Sequence, residues 1–295
     1  MAAGSESPVR LCDPAGALLG EGPVWHVREQ ALYWVDIKGQ RLHRYHPADH
    51  TAQHWALHGQ LAWALPRRDG GFVAGISNEI GILKIEPELS FTPRLSVEPD
   101  LPGNRLNDAK TDIDGSLWFG SMDDNHTVPS GNFYQLRSDF STLMVDTGYT
   151  IANGPAISRD GRYIYHTDSA ARTIYRYTRT LDGKLERRAP FIYFDEADGF
   201  PDGMTVDTQG GLWVAHWGGG RVSRFTADGT FDRALPLPVS QVSSCCFGGA
   251  QLDRLFVTTA SIGLNGTQRA TEPLAGALFE LTPDMEGIPC QDFAG

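Results

Sequence analysis

Apolar and polar residues alternate along this chain in short runs, and the runs come back at near-regular intervals. A turn followed by an aromatic or β-branched run recurs as EQALYWVDI (29–37), RDGGFVAGI (68–76), DIDGSLWFG (112–120), SRDGRYIYHTD (158–168), DTQGGLWVAHW (207–217) and QLDRLFVTTA (251–260). Taking Tyr33, Phe72, Trp118, Ile164, Trp213 and Phe256 as matched positions, the steps are 39, 46, 46, 49 and 43 residues. A second motif follows each copy: RLHRYHP (41–47), GILKIEP (81–87), NFYQLRS (132–138), TIYRYTR (173–179), RVSRFTA (221–227) and ALFELTP (277–283). Period-two alternation marks strands with one buried face. Almost no stretch has the 3.6-residue period of a helix.

A unit of about 45 residues built from several short strands is the size of one propeller blade. Six such units nearly exhaust the 295 residues. The expected fold is therefore all-β, a six-bladed β-propeller, with residues 1–295 forming one domain. The leftover N-terminal PVRLCDP is expected to add a strand to the last blade and close the ring, which leaves only short, protected edges.

The repeat gives polar residues a common register. Asp202 lies 11 residues before Trp213, Asn107 lies 11 before Trp118, and Asn153 lies 11 before Ile164. Glu21 lies 12 before Tyr33, and a count of 11 in the other two copies reaches Leu61 and Cys245. The first strand of a propeller blade lines the central channel, so equivalent positions converge on one axis. Two carboxylates and two amides meeting there form an oxygen-rich cage that suits a hard divalent cation. Glu21, Asn153 and Asp202 also stand at turn-like sequences, GEGPVW, NGP and PDG, and a turn is compatible with a ligand role. Mixed carboxylate and amide oxygens suit calcium, manganese, magnesium or iron(II), and zinc also fits. Arg105, two residues before Asn107, points to the same side of an extended segment and could clamp a polar substrate oxygen. Asp123 and Asp124 fit either a loop at the channel mouth or a solvated acidic turn. His166 and His216 fall in the second strand and read as packed, hydrogen-bonded histidines.

Composition narrows the partners. With 41% hydrophobic and 21% charged residues, this is an ordinary globular sequence, and its 33 Gly, 7 Trp, 9 Tyr and 14 Phe favour strands joined by tight turns. A net charge of −11 with no Lys/Arg run repels phosphate backbones, so no nucleic-acid partner is expected. No apolar run approaches the roughly 18 residues of a membrane span. The N-terminal MAAGSESPVRLCDPAG lacks a basic start followed by an apolar stretch, and four cysteines are too few for a disulfide scaffold. Both point to a cytoplasmic protein with reduced thiols, a Cys12–Cys290 bond being the one pairing that would join the chain ends. A closed ring needs no partner, so a monomer or weak oligomer is expected. No Ser-His-Asp set, phosphate-binding loop, dinucleotide fingerprint or zinc-protease helix is present.

GEGPVW, NRLNDAKTDIDGSLWFGSM, FPDGMTVDTQGGLWVA and CCFGG together resemble the sugar-lactonase family that includes regucalcin and the bacterial gluconolactonases, over essentially the whole chain. YHTD and HWGG are more similar to the bacterial pentonolactonases, such as xylonolactonase and arabinonolactonase. The resemblance implies a six-bladed propeller with a single divalent metal, held here by Glu21, Asn153 and Asp202. It also implies Arg105 and Asn107 as substrate contacts and Asp202 as general base. The family's acidic residue at the mouth has Asp123 as its nearest counterpart, Asp where a Glu is usual. The implied activity is metal-dependent hydrolysis of a pentono- or hexono-lactone to its aldonic acid. The competing readings are a non-catalytic calcium-binding propeller and a broader esterase or organophosphate hydrolase using the same metal.

Overall fold

A computed structural model of the chain describes residues 9–180 and 183–295. Residues 1–8, which hold Pro8 and most of the N-terminal stretch without a leader pattern, lie outside them. Among the described residues the strands form six four-stranded antiparallel sheets, the six blades of a β-propeller. The inner strands are Gly20–His26, Leu61–Pro66, Asn104–Thr111, Ala152–Ile157, Phe200–Val206 and Val242–Gly248. Each packs against the next, and Gly20–His26 returns to Val242–Gly248, so the ring is closed. The two repeated motifs are the second and third strands of each blade. The expected closure is also found: Val9–Asp13 pairs antiparallel with Leu278–Leu281 and completes the sixth blade as its outermost strand.

The second strands carry the core. Tyr33, Phe72, Trp118, Trp213 and Phe256 are all buried between blades, as the periodicity requires. Two blades share a polar clasp within that core. In DTQGGLW, Asp207 Oδ1 accepts from the backbone N–H of Gln209 (2.9 Å) and Gly211 (2.8 Å). Its Oδ2 accepts from Trp213 Nε1 (2.9 Å) and Arg224 Nε (2.7 Å). DIDGSLW repeats the arrangement, with Asp112 Oδ2 accepting from Trp118 Nε1 at 2.5 Å and pairing with Arg179. In each case one carboxylate holds its turn, the indole of the next strand and an arginine, which comes from the following strand of the same blade for Asp207 and from the third strand of the next blade, Thr173–Arg179, for Asp112. Gly115 and Gly210 take positive φ at the same point of this turn, which a side chain would strain.

The two histidines of the second strands are aromatic filling. His166 stacks on Phe133 at 3.8 Å between ring centroids, and burial pushes its imidazole well below the ordinary pKa, so it stays neutral. Neither of its ring nitrogens has a hydrogen-bond partner among the described residues, unlike the expectation. His216 does have one: Nδ1 lies 2.8 Å from the Asp198 carbonyl oxygen. The four cysteines are free thiols. Cys12 lies on the outermost strand beside Glu280, whereas Cys290 lines a cavity near the axis, so no bond joins them.

After Leu281 the chain crosses the end of the channel formed by the last residues of the inner strands. Gly287 bridges to Asp207 of the fifth blade and Phe293 to Arg67 of the second. Ala294 N donates to Gly115 O of the third blade at 2.9 Å. Phe293 is fully buried in the core and meets Phe140 edge-on. A small cavity of about 80 Å³ lies above this tail, lined by Ile288, Pro289, Cys290, Val206 and Lys110 among others. No helix among the described residues is long and apolar enough to cross a membrane.

Candidate functional site

The first residues of the inner strands surround a second, larger cavity of about 570 Å³ at the other end of the channel. Its volume lies in the range of roughly 300–1,000 Å³ usual for small-molecule sites. Glu21, Asn107, Asn153 and Asp202 all line it, as their shared register predicts, and Arg105 joins them. The second blade contributes apolar Leu61 at this level, also as predicted. In the sixth blade the equal count overshoots. Its inner strand is irregular between Val242 and Ser244, so Ser243 stands at the level of Asp202, and Cys245 lies deeper, paired with Val257.

The sequences around these residues are bulges within strands and not turns. Strand pairing shifts between Glu21 and Val24, Leu106 and Ala109, Asn153 and Ala156, and Pro201 and Met204. A bulge breaks the two-residue alternation and re-aims the side chain beside it. Gly22 and Gly154 take positive φ there. A Cβ on Gly203 would meet Ser244 Oγ at 2.0 Å, so only glycine fits after Asp202.

The side chains are joined from the mouth inward. Asp124 accepts from Arg105 Nε at 2.6 Å, and Arg105 Nη1 donates to Asn107 Oδ1 at 2.6 Å. Asn107 Nδ2 donates to Ala152 O (2.8 Å) and Asn153 Oδ1 (3.2 Å), and Asn153 Nδ2 donates to Asp202 Oδ1. Among the described residues Glu21 accepts only from the adjacent Gly22 N–H, at 3.2 Å.

The electrostatics are unbalanced. Burial pushes the Glu21 carboxyl well above its ordinary pKa, and Asp202 and Asp108 push it further. Burial and then Asp108 do the same to Asp202, against the hydrogen bonds of Gly203 and Asn153. Burial lowers Arg105, while Asp124 opposes that shift. Asp124 is held at about 2: burial works against its charge, but Lys38, Gln60 and Arg105 outweigh burial.

Asp123, expected at the mouth, does not line the cavity. Its Oδ2 accepts from Thr127 N (2.8 Å) and Thr127 Oγ1 (2.7 Å), tying down its own loop. The next residue, Asp124, lines the cavity instead, beside Lys38 and His126. Lys38 and Asp108 were not singled out from the sequence. Asp108 faces inward because the Leu106–Ala109 bulge turns both Asn107 and its neighbour off the regular alternation.

Two buried carboxylates whose pKa values burial raises, Glu21 being raised further by Asp202, with amide oxygens beside them, make a donor set that fits a hard divalent cation. Among the described residues no trio of His, Cys, Asp or Glu is placed to hold a metal, so any such site needs the amides. In metal-free protein these charges oppose folding. A carboxyl whose pKa is raised in the fold binds protons more tightly when folded, so its contribution to stability falls as pH rises above about 4.5. Chelator-treated Glu21→Gln protein is therefore expected to be more stable than wild type at pH 8, by on the order of 1 kcal/mol, read as a higher urea midpoint. The gap is expected to narrow at pH 5; equal midpoints at both pH values would remove the conflict inferred here.

Residues 19–261 match the model of the SMP-30/Gluconolactonase/LRE-like region. The chain belongs to that family. Among family relatives, Pentonolactonase XacC of Haloferax volcanii is 36% identical over 276 residues, covering 92% of this chain and 93% of the relative. L-arabinolactonase of Azospirillum brasilense is 35% identical over 281 residues, covering 94% and 92%. A solved structure described as a calcium-binding protein, regucalcin, from Agrobacterium tumefaciens superposes with a TM-score of 0.93 at 26% identity, covering 97% of each chain. The family match spans all five of Glu21, Arg105, Asn107, Asn153 and Asp202.

Proposed function

We propose that this protein hydrolyses a sugar lactone to its aldonic acid, with one divalent cation held by Glu21, Asn153 and Asp202. One observation carries the reading. The repeat brings two buried, mutually repelling carboxylates and two amides to the floor of a small-molecule cavity, directly beside a buried arginine. The lactonase names of relatives at 35–36% identity support it, and both of those names favour a five-carbon lactone.

A divalent cation at this site would supply Lewis acidity toward the lactone carbonyl and lower the pKa of its water. Asn107 uses both Nδ2 hydrogens on Ala152 O and Asn153 Oδ1, and the free lone pair of its Oδ1 can accept from a substrate hydroxyl near the carbonyl. Arg105 is oriented by Asp124 through Nε and by Asn107 through Nη1, which leaves Nη2 to donate to ring or hydroxyl oxygens. Asp202 accepts the proton of the attacking water. The water oxygen bonds to the acyl carbon, the ring C–O bond breaks, and the ring oxygen leaves as a hydroxyl carrying a proton.

The test is proton release from D-xylono-, L-arabinono-, D-galactono- and D-glucono-lactone above the spontaneous rate. It is run before and after chelation and after return of calcium, manganese, magnesium, iron(II) or zinc. Turnover that is lost with the metal and restored by one ion is expected. A second reading, a calcium-binding propeller without turnover, is favoured by the regucalcin-like neighbour described as calcium-binding. Calcium uptake with no hydrolysis under any ion would select it. Against it stands Arg105, a buried cation for which calcium storage has no use.

A further inference from the structure

The larger cavity has two unlike walls. Phe200, Trp217, Ile151 and Ile262 make one side apolar, while Lys38, Asp124 and Arg105 make the other polar. The polar wall lies at the second blade, where apolar Leu61 leaves a gap in the ring of polar residues and Gln60 stands beside Asp124. Lys38, on the turn after the strand Ala31–Asp36 of the first blade, reaches past that gap to Asp124 of the third.

The hydrogen-bond capacity of this wall is nearly used up. Asp124 Oδ1 accepts from Lys38 Nζ (2.6 Å) and Arg105 Nε (2.6 Å). Its Oδ2 accepts from Lys38 Nζ (2.7 Å) and Gln60 Nε2 (3.2 Å). A carboxylate has about four acceptor sites, and all four are filled. Asp124 therefore has no capacity left for a substrate hydroxyl. An ammonium has three N–H donors, and Lys38 uses two on the carboxylate, leaving one. The Lys38 side chain is 23% exposed, in the cavity wall. A part-exposed pair of this kind contributes little to stability. Lys38 also stands at the outer end of the chain of contacts that runs through Asp124, Arg105, Asn107 and Asn153 to Asp202.

We propose that Lys38 is a specificity-determining residue, whose free N–H donates to a lactone hydroxyl oxygen at the end of the substrate remote from the carbonyl. The inference rests on the lactonase reading and adds to it how hydroxylated lactones are told from bare ones. Asp124 holds the ammonium in place, and the apolar wall takes the C–H face of the ring.

The test compares wild type with Lys38→Met, which keeps the stem and removes the donors. The substrates are a pentono-1,4-lactone and γ-butyrolactone, the same five-membered ring without hydroxyls. The readout is the ratio of kcat/KM for the two, or of competitive inhibition constants where γ-butyrolactone turns over slowly. Losing a hydrogen bond from a charged donor should narrow the preference for the hydroxylated lactone about ten- to a hundred-fold. Lys38→Arg, which keeps a cation and spare donors, should restore part of it. An unchanged ratio in Lys38→Met, with either no effect or an equal fall on both lactones, overturns the proposal, the equal fall placing Lys38 as a support for Arg105 through Asp124. A wild type inactive on both lactones with every ion would instead overturn the lactonase reading, and this inference with it. Melting temperature separates these outcomes from misfolding, and if Lys38→Met does not fold, Lys38→Leu, which also lacks donors, takes its place.

Discussion

Asp202→Ala is expected to abolish both cation binding and lactone turnover, with kcat/KM falling at least about a thousandfold. The substitution removes one of two charges from the proposed cation site and the group proposed to take the water's proton. It also removes a buried carboxylate whose charge is opposed by burial and by Asp108. Metal-free Asp202→Ala protein should therefore melt no lower than metal-free wild type, which separates a lost site from a lost fold. Asp202→Asn keeps the shape without the charge and should fail in the same way. Metal content by elemental analysis and initial rates check the pair of effects. Normal turnover at normal metal content in either variant would remove Asp202 from the site.

The largest effect on stability is expected far from that cavity, at Asp207→Ala. The carboxylate is fully buried and holds the Arg224 guanidinium, the Trp213 indole N–H and two backbone N–H groups of its turn. Truncation leaves a buried cation and a buried indole donor without it, at a cost of about 3–5 kcal/mol. Urea denaturation followed by tryptophan fluorescence would read that as a lower midpoint. Adding Arg224→Met should recover much of the loss, because an apolar side chain needs no partner there. Asp207→Ala within about 1 kcal/mol of wild type would show that the clasp is not what secures the fifth blade.

The fold could be read from the sequence because a propeller repeats its own grammar. Trp118 and Trp213 stand in the same turn-strand phrase and bury the same face, so one register carries over from blade to blade. That register also brought out Glu21, Asn107, Asn153 and Asp202, since an inner-strand position is defined by its distance from the second strand. Asp108 stayed hidden because regular alternation points the neighbour of Asn107 outward, and only a bulge turns both inward. Asp124 rather than Asp123 lines the cavity because Thr127 captures Asp123 in the loop, a choice between adjacent carboxylates that spacing does not make. Lys38 lies outside the repeat register altogether, on a turn between outer strands, and gains meaning only when Asp124 is placed opposite it. The C-terminal crossing has no repeat to announce it. Its evidence is one buried aromatic, Phe293, and backbone pairing with three blades.

That crossing decides the traffic. With the tail laid over the far end of the axis, the larger cavity opens away from it, and in the proposed reaction the product would leave by the way its precursor came in. Arrival and departure then share one narrow threshold and exclude each other. In the proposed reaction a spent molecule still in the passage would hold back the next, so emptying would count beside the chemistry at its end.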